Sequence, residues 1–123
     1  MNKVHQKVSG RVAHMLEAAQ NARADIGELG KKQFLTDGKT QRAVIESIVV
    51  IGEAANKIMG IDPTIAQSHP HLWQQLRDAY DMRIVLTHEY FRVDPLIVWN
   101  TVQNALPGIE KLLVEFAAEY ADK

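Results

Sequence analysis

Apolar residues recur at three- and four-residue intervals along almost the whole of this chain. Val4, Val8, Val12, Leu16, Ala19, Ile26 and Leu29 form the first such stripe, with Gln6, Lys7, Glu17 and Gln20 lying off it. An α-helix turns once every 3.6 residues, so this spacing gathers the apolar side chains on one face. No alternating apolar–polar stretch of useful length occurs, which leaves nothing to build a half-buried strand from. Gly30 is placed to cap the first helix. Asp37 suits the N-cap of a second helix running to about Met59, with Gly60 as its stop. That helix carries Ala43, Val44, Ile45, Ile48, Val49, Val50, Ile51, Ala54, Ala55, Ile58 and Met59. So wide an apolar surface implies burial on more than one side, either as a central helix or against a second subunit.

Three polar-Pro pairs punctuate the rest. Asp62-Pro63, His69-Pro70 and Asp94-Pro95 each put a polar residue before a proline, a helix-start signal. Leu72, Trp73, Leu76, Ala79 and Tyr80 continue after Pro70, and Leu96, Ile97, Trp99 and Val102 after Pro95. Pro107-Gly108 is expected to bend or break the chain before a last amphipathic helix through Ile109, Leu112, Leu113, Phe116 and Tyr120. The prediction is an all-α bundle of four to five helices with short connections, residues 1–123 forming one domain.

Composition narrows the chemistry. With 123 residues and 46% hydrophobic residues the chain can bury a sizeable core. It has no cysteine, so disulfides, thiolate metal sites and cysteine nucleophiles are excluded. The apolar run 48–51 is far too short to span a bilayer, and the first residues lack the apolar stretch of a secretion signal. A cytoplasmic location is expected. The net charge of −1 excludes indiscriminate nucleic-acid binding, so an RNA-directed activity would need a local basic site.

Metal chemistry finds little support. His69-Pro-His71 offers two histidines without a third ligand at helical spacing, and reads better as a loop cap beside a surface imidazole. His14 and Glu17 reverse the Glu-x-x-His order of di-iron bundles, and no second copy appears. No phosphate loop, Gly-x-Ser-x-Gly or paired-carboxylate motif is present.

One stretch stands apart: Asp81-Met-Arg83-Ile-Val-Leu-Thr-His88-Glu-Tyr90-Phe-Arg92-Val-Asp94. It gathers a guanidinium, an imidazole and a phenol within eight residues, with Arg77 nearby. On an unbroken helix Arg83 and His88 would stand about 140° apart. Either the arginine reaches back, the helix ends near His88, or a two-fold axis completes the site. The residues alone also allow an arginine in a surface ion pair and a histidine at a helix end, where the dipole favours it.

The stretch resembles the Arg-x4-His-x-Tyr motif of the HepT toxins, within the HEPN superfamily of helical nucleases. Asp37-Gly-Lys-Thr-Gln-Arg42-Ala resembles that family's opening of the second long helix. Ile51-Gly52-Glu53-Ala54-Ala55 resembles its Ile-Gly-Glu-Ala-Ala signature. Trp73, Met82-Arg83, Val93-Asp94, Trp99 and Leu106-Pro107 follow in order, so the resemblance covers residues 34–107. There are two departures. Ile84 stands where the family usually has a polar residue, and Glu89 where a glycine commonly precedes the tyrosine.

The resemblance implies a HEPN-type bundle and metal-independent, cofactor-free RNA cleavage as the toxin of a type VII toxin–antitoxin system. Arg83 would hold the scissile phosphate and His88 would act as general base or acid, since imidazole exchanges protons near neutral pH. Two copies would meet as a homodimer, bringing both motifs to one cleft. Glu53 would orient Arg83 or bind a substrate group, or else simply be a buried carboxylate paired with an arginine for packing. Tyr90 would accept AMP from a cognate MntA-like nucleotidyltransferase antitoxin. The competing expectation is a catalytically inactive helical module that docks such a nucleotidyltransferase. Ile84 and Glu89 favour it, whereas the intact Arg83, His88 and Tyr90 favour the enzyme. Trp73 and Trp99 could stack on bases, but their helical spacing points to the core.

Overall fold

A computed structural model of the chain describes residues 2–89 and 92–120. Its elements are α1 (Lys3–Ile26), α2 (Lys31–Phe34), α3 (Gly38–Ile61), α4 (Ile65–Ser68), α5 (Pro70–His88), α6 (Pro95–Asn100), a π-helical segment (Thr101–Ala105) and α7 (Leu106–Tyr120). No strand occurs among the described residues. The architecture is all-α, of the HEPN type. Three long helices, α1, α3 and α5, and the rod made by α6, the π segment and α7 form the bundle, with α2 and α4 as single turns in the connections.

Local chemistry sets most of the boundaries. Asn2 caps α1 by accepting from the His5 amide, and Asp37 caps α3 by accepting from the Thr40 amide and hydroxyl. Those bonds hold the Asp37 carboxyl below its ordinary pKa. Pro70 and Pro95 open α5 and α6 as their fixed φ favours, and Asp94 accepts from the Leu96 amide. Asp62-Pro63 launches only the single turn of α4.

Three expected boundaries move. α1 ends at Gly27, whose φ of 56° is open to glycine, and not at Gly30, which becomes the N-cap of α2. α3 runs through Gly60 to Ile61 and stops at Asp62, because nothing at Gly60 departs from helical geometry. Pro107 does not break the last helix. The disturbance lies upstream, where residues 101–105 widen into a π-helix before a proline that cannot donate to the preceding turn.

α3 is the central helix, packed against α1, α5 and α6. Val44, Ile48, Ile51, Ala55 and Ile58 meet Val8, Val12, Met15, Ala19 and Ala22 of α1 and Leu76 and Leu86 of α5 in a continuous core. Burying an aliphatic side chain of this size stabilises the fold by roughly 1.5–3 kcal/mol. Both tryptophans belong to this packing: Trp73 and Trp99 lie partly buried on the core, Trp99 with its ring 5.4 Å from that of Phe34.

Candidate active site

α3 and α5 approach each other closely at Gly52. A Cβ there would sit 2.4 Å from Arg83 Cβ and 2.6 Å from the Ala79 carbonyl oxygen. Only a residue without a side chain permits this contact, so the Gly52 of the Ile-Gly-Glu-Ala-Ala stretch is a packing requirement. The approach has a direct consequence for its neighbour. Glu53 Oε2 lies 2.7 Å from Arg83 Nε, across a separation of thirty residues in the chain.

This contact is an ion pair and not an aligned hydrogen bond. Nε is shielded from water and its N–H finds no acceptor in good geometry, although the carboxylate is adjacent. The Arg83 side chain keeps 29% of its exposure. Its guanidinium carbon stands 6.0 Å from the centre of the Tyr80 ring, one helical turn earlier, within cation–π range. Arg83 is thus anchored along its stem and at Nε, while no described residue bonds its η nitrogens.

α5 runs unbroken through His88, so Arg83 and His88 stand about 140° apart around the helix and do not share a face within one chain. The chain leaves the helix through Glu89, whose amide still bonds to the Val85 carbonyl, and the Arg92 amide bonds to the Glu89 carbonyl. Thr87 returns its hydroxyl to the Arg83 carbonyl at 2.9 Å. His88 is an exposed imidazole at a helix C-terminus. Tyr90, the expected AMP acceptor, lies outside the described residues.

A groove lies between α3 and α5, on the side of the α3 N-terminus. A cavity of about 410 Å³ is lined by Arg42, Ile45, Glu46, Val49, Leu86 and Thr87. Residues 42, 45, 49 and 53 follow one another on a single face of α3, as 83, 86 and 87 do on α5. Glu53 and Arg83 lie one helical turn beyond the lining of this groove, on the same two helix faces.

The histidine pair on the far side has a different role. His69 places Nδ1 2.8 Å from Ser68 Oγ and Nε2 2.8 Å from Glu119 Oε2, with its ring edge-on to Phe116. It ties the start of α5 to the end of α7, while His71 is exposed. Among the described residues no three histidine or carboxylate side chains converge as a metal cage. No helix is long and apolar enough to cross a membrane.

Gly52, Tyr80 and the groove position of Arg42 are the features that residue chemistry alone did not single out. Gly52 and Arg42 are visible in sequence only as parts of family-like strings, and Tyr80 only by its three-residue offset from Arg83.

Comparison with known proteins gives a consistent answer. Residues 15–116 match the family model described as ribonuclease HepT-like. A Thermococcus cleftensis protein named "Probable ribonuclease HepT" is 37% identical over 84 residues, which is 68% of this chain and 71% of that protein. A Methanocaldococcus jannaschii protein with an RNase name is 31% identical over 96 residues, 78% of each chain. Another, from Caldanaerobacter subterraneus, is 27% identical over 103 residues, 83% of this chain and 87% of its own length. No solved structure matches significantly.

Proposed function

The chain belongs to the HepT-like ribonuclease family, and on that premise we propose that it cleaves RNA by internal attack of a ribose 2′-hydroxyl, with Arg83 and His88 as the catalytic residues. The observation that carries this reading is Arg83 itself. A guanidinium held at Nε by Glu53, within 6.0 Å of the Tyr80 ring, and with η nitrogens bonded by no described residue is suited to grip a phosphate. Similarity to RNase-named relatives across most of their length supports the same substrate class.

The chemistry follows from the groups present. His88 takes the proton from the 2′-hydroxyl, and the oxygen attacks the adjacent phosphorus. Negative charge grows on the non-bridging oxygens, where Arg83 opposes it. The 5′-oxygen leaves with a proton from a second imidazole, giving a 2′,3′-cyclic phosphate and a 5′-hydroxyl. One histidine per chain can serve as both base and acid if two copies share a cleft about a two-fold axis, so the active form is a homodimer. Glu53 is a positioning residue, acting through Arg83.

The biological role proposed is that of a toxin paired with a cytoplasmic MntA-like nucleotidyltransferase antitoxin. AMP on Tyr90 would add bulk and a phosphate that competes for Arg83.

The experiment is RNA cleavage in EDTA with product analysis. Wild-type protein is expected to yield a cyclic phosphate, and His88→Ala to yield nothing while keeping its helical circular dichroism. Wild-type cleavage rates in His88→Ala would remove His88 from the mechanism. Binding of a nucleotidyltransferase with no cleavage by the wild type would establish the inactive docking module instead. Co-expression with an MntA-like nucleotidyltransferase should add one AMP to the wild type and none to Tyr90→Phe by intact mass.

A further inference from the structure

We infer that Arg42 is a second phosphate-binding residue, which seats the RNA strand along the α3–α5 groove several nucleotides from the bond that is cut. This rests on the ribonuclease reading above and deepens it, by giving the substrate a direction of approach.

The groove has Arg42 at its α3 N-terminal end and an apolar floor. The Glu53–Arg83 pair is not part of its lining but follows one helical turn beyond Val49 on α3 and one turn before Leu86 and Thr87 on α5. Ile45 and Val49, both half-buried, and the buried Leu86 lie between. Arg42 and Glu53 are eleven residues apart on α3, about 16 Å along the helix axis. That span is longer than one nucleotide, so a second phosphate of the same strand can reach Arg42 while an intervening base rests on the aliphatic floor.

Arg42 is available for this. It is exposed, and it pairs with no carboxylate among the described residues, not even Glu46 one turn away. Its Nη1 lies only 3.2 Å from where a Cβ on Gly38 would stand, so the side chain folds back over the first turn of α3. Arg83 and Arg23, by contrast, are both engaged by glutamates.

The opposite flank of α3 excludes the alternative path. A second cleft of about 320 Å³, between α1 and α3, is lined by Glu17, Asp25 and Glu46 together with His14, Asn21 and Ser47. Three carboxylates in one cleft repel a phosphate backbone. Glu46 lines both cavities and marks the border between them. A strand leaving Arg83 along α3 is thereby confined to the α5 side, the side that leads to Arg42.

The test uses the full-length His88→Ala protein, so that binding is read without cleavage. A short fluorescein-labelled single-stranded RNA is titrated by anisotropy at several salt concentrations, and oligomeric state is followed by light scattering. Adding Arg42→Ala should weaken binding by about tenfold for every RNA sequence and lower the slope of log K against log salt by about 1. Arg42→Lys should recover part of the affinity, and Glu46→Gln should tighten binding. Unchanged affinity and salt slope in Arg42→Ala, with RNA still bound and cleaved by the parent proteins, would overturn the inference and leave the ribonuclease reading standing. Loss of RNA binding together with a shift from dimer to monomer would also overturn it, assigning the groove to contact between copies. Absence of cleavage by the wild type and of RNA binding by any form would overturn both.

Discussion

The two ends of the bundle handle their polar groups in opposite ways. Where α3 and α7 end and α5 begins, most polar groups are paired with one another, the buried Nδ1 of His5 excepted. Tyr120 donates to Asp62 at 2.8 Å, Thr64 donates to the same carboxylate, His5 packs edge-on to Tyr120, and His69 joins Ser68 to Glu119. Burial works to raise the Asp62 carboxyl, but the bonds from Thr64 and Tyr120 prevail and hold it below its ordinary value. Burial and that same carboxylate push the Tyr120 phenol far up. Where α5 ends, Arg42 and the η nitrogens of Arg83 have no described partner, and His88 is exposed. A closed polar network fastens helix ends, whereas groups left open at a groove remain free to meet a ligand. The first end fastens helix termini, and the second holds the residues of the proposed site.

That contrast can be broken most severely at Gly52, which serves both. Gly52→Ala drives a Cβ into Arg83 Cβ and the Ala79 carbonyl oxygen, and the backbone cannot swing away as a flexible side chain would. A loss of about 3 kcal/mol in urea unfolding is expected, with cleavage falling as well, because Glu53 no longer meets Arg83. Full stability in this variant would show that α3 and α5 are not held at that distance.

Arg83→Ala should separate the two properties. Its ion pair with Glu53 is partly exposed, so stability should change by less than about 1 kcal/mol while cleavage is lost. A large stability loss would place Arg83 among the fastening groups.

At the paired end, Tyr120→Phe removes the hydrogen bond to Asp62 and should cost about 1 kcal/mol with activity unchanged. The Asp62 interaction also predicts a pH dependence. A carboxyl whose folded pKa is depressed contributes its full stability above the ordinary value of 3.8 and loses it as pH falls through the lower folded value. Wild-type protein should therefore lose stability below about pH 4, and Tyr120→Phe should lose less over the same interval. Equal acid sensitivity would remove this network from the stability of that end. His69→Ala, which removes the contact to the largely exposed Glu119, should have the smallest effect, under about 1 kcal/mol, with no change in RNA cleavage.

What could be read from sequence divides along physical lines. Helical stripes, the Asp37 and Asp94 caps and the prolines at 70 and 95 are local signals, set by neighbours within one turn, and the structure follows them. The α1 terminus was ambiguous because Gly27 and Gly30 both suit a helix end, and only the backbone shows which adopts positive φ. Gly60 misled because a glycine stops a helix only where the chain must turn. Arg83 and His88 were legible as an unusual concentration of chemistry. Their relation was not: α5 runs unbroken through both, so within one chain they stay on different faces of the helix. The pairing of Glu53 with Arg83 is a tertiary consequence of the approach at Gly52. Periodicity carries no information about it, and only resemblance to a family pointed there.

The π-helical segment at 101–105 has a consequence for how this rod can vary. Val98, Val102 and Leu106 are all buried at successive intervals of four residues. In an ideal α-helix each such step overshoots a full turn by about 40°, so the third would have begun to swing off the core. The wider π turns hold the three in line, and the stripe then resumes through Ile109, Leu113, Phe116 and Tyr120. The segment thus works as a slip joint. One residue gained or lost elsewhere in the rod would rotate everything beyond it by about 100° and tear either Trp99 from Phe34 or Tyr120 from Asp62. Within the joint, the same change can be taken up by winding the π turn tighter or looser, with both ends kept in place.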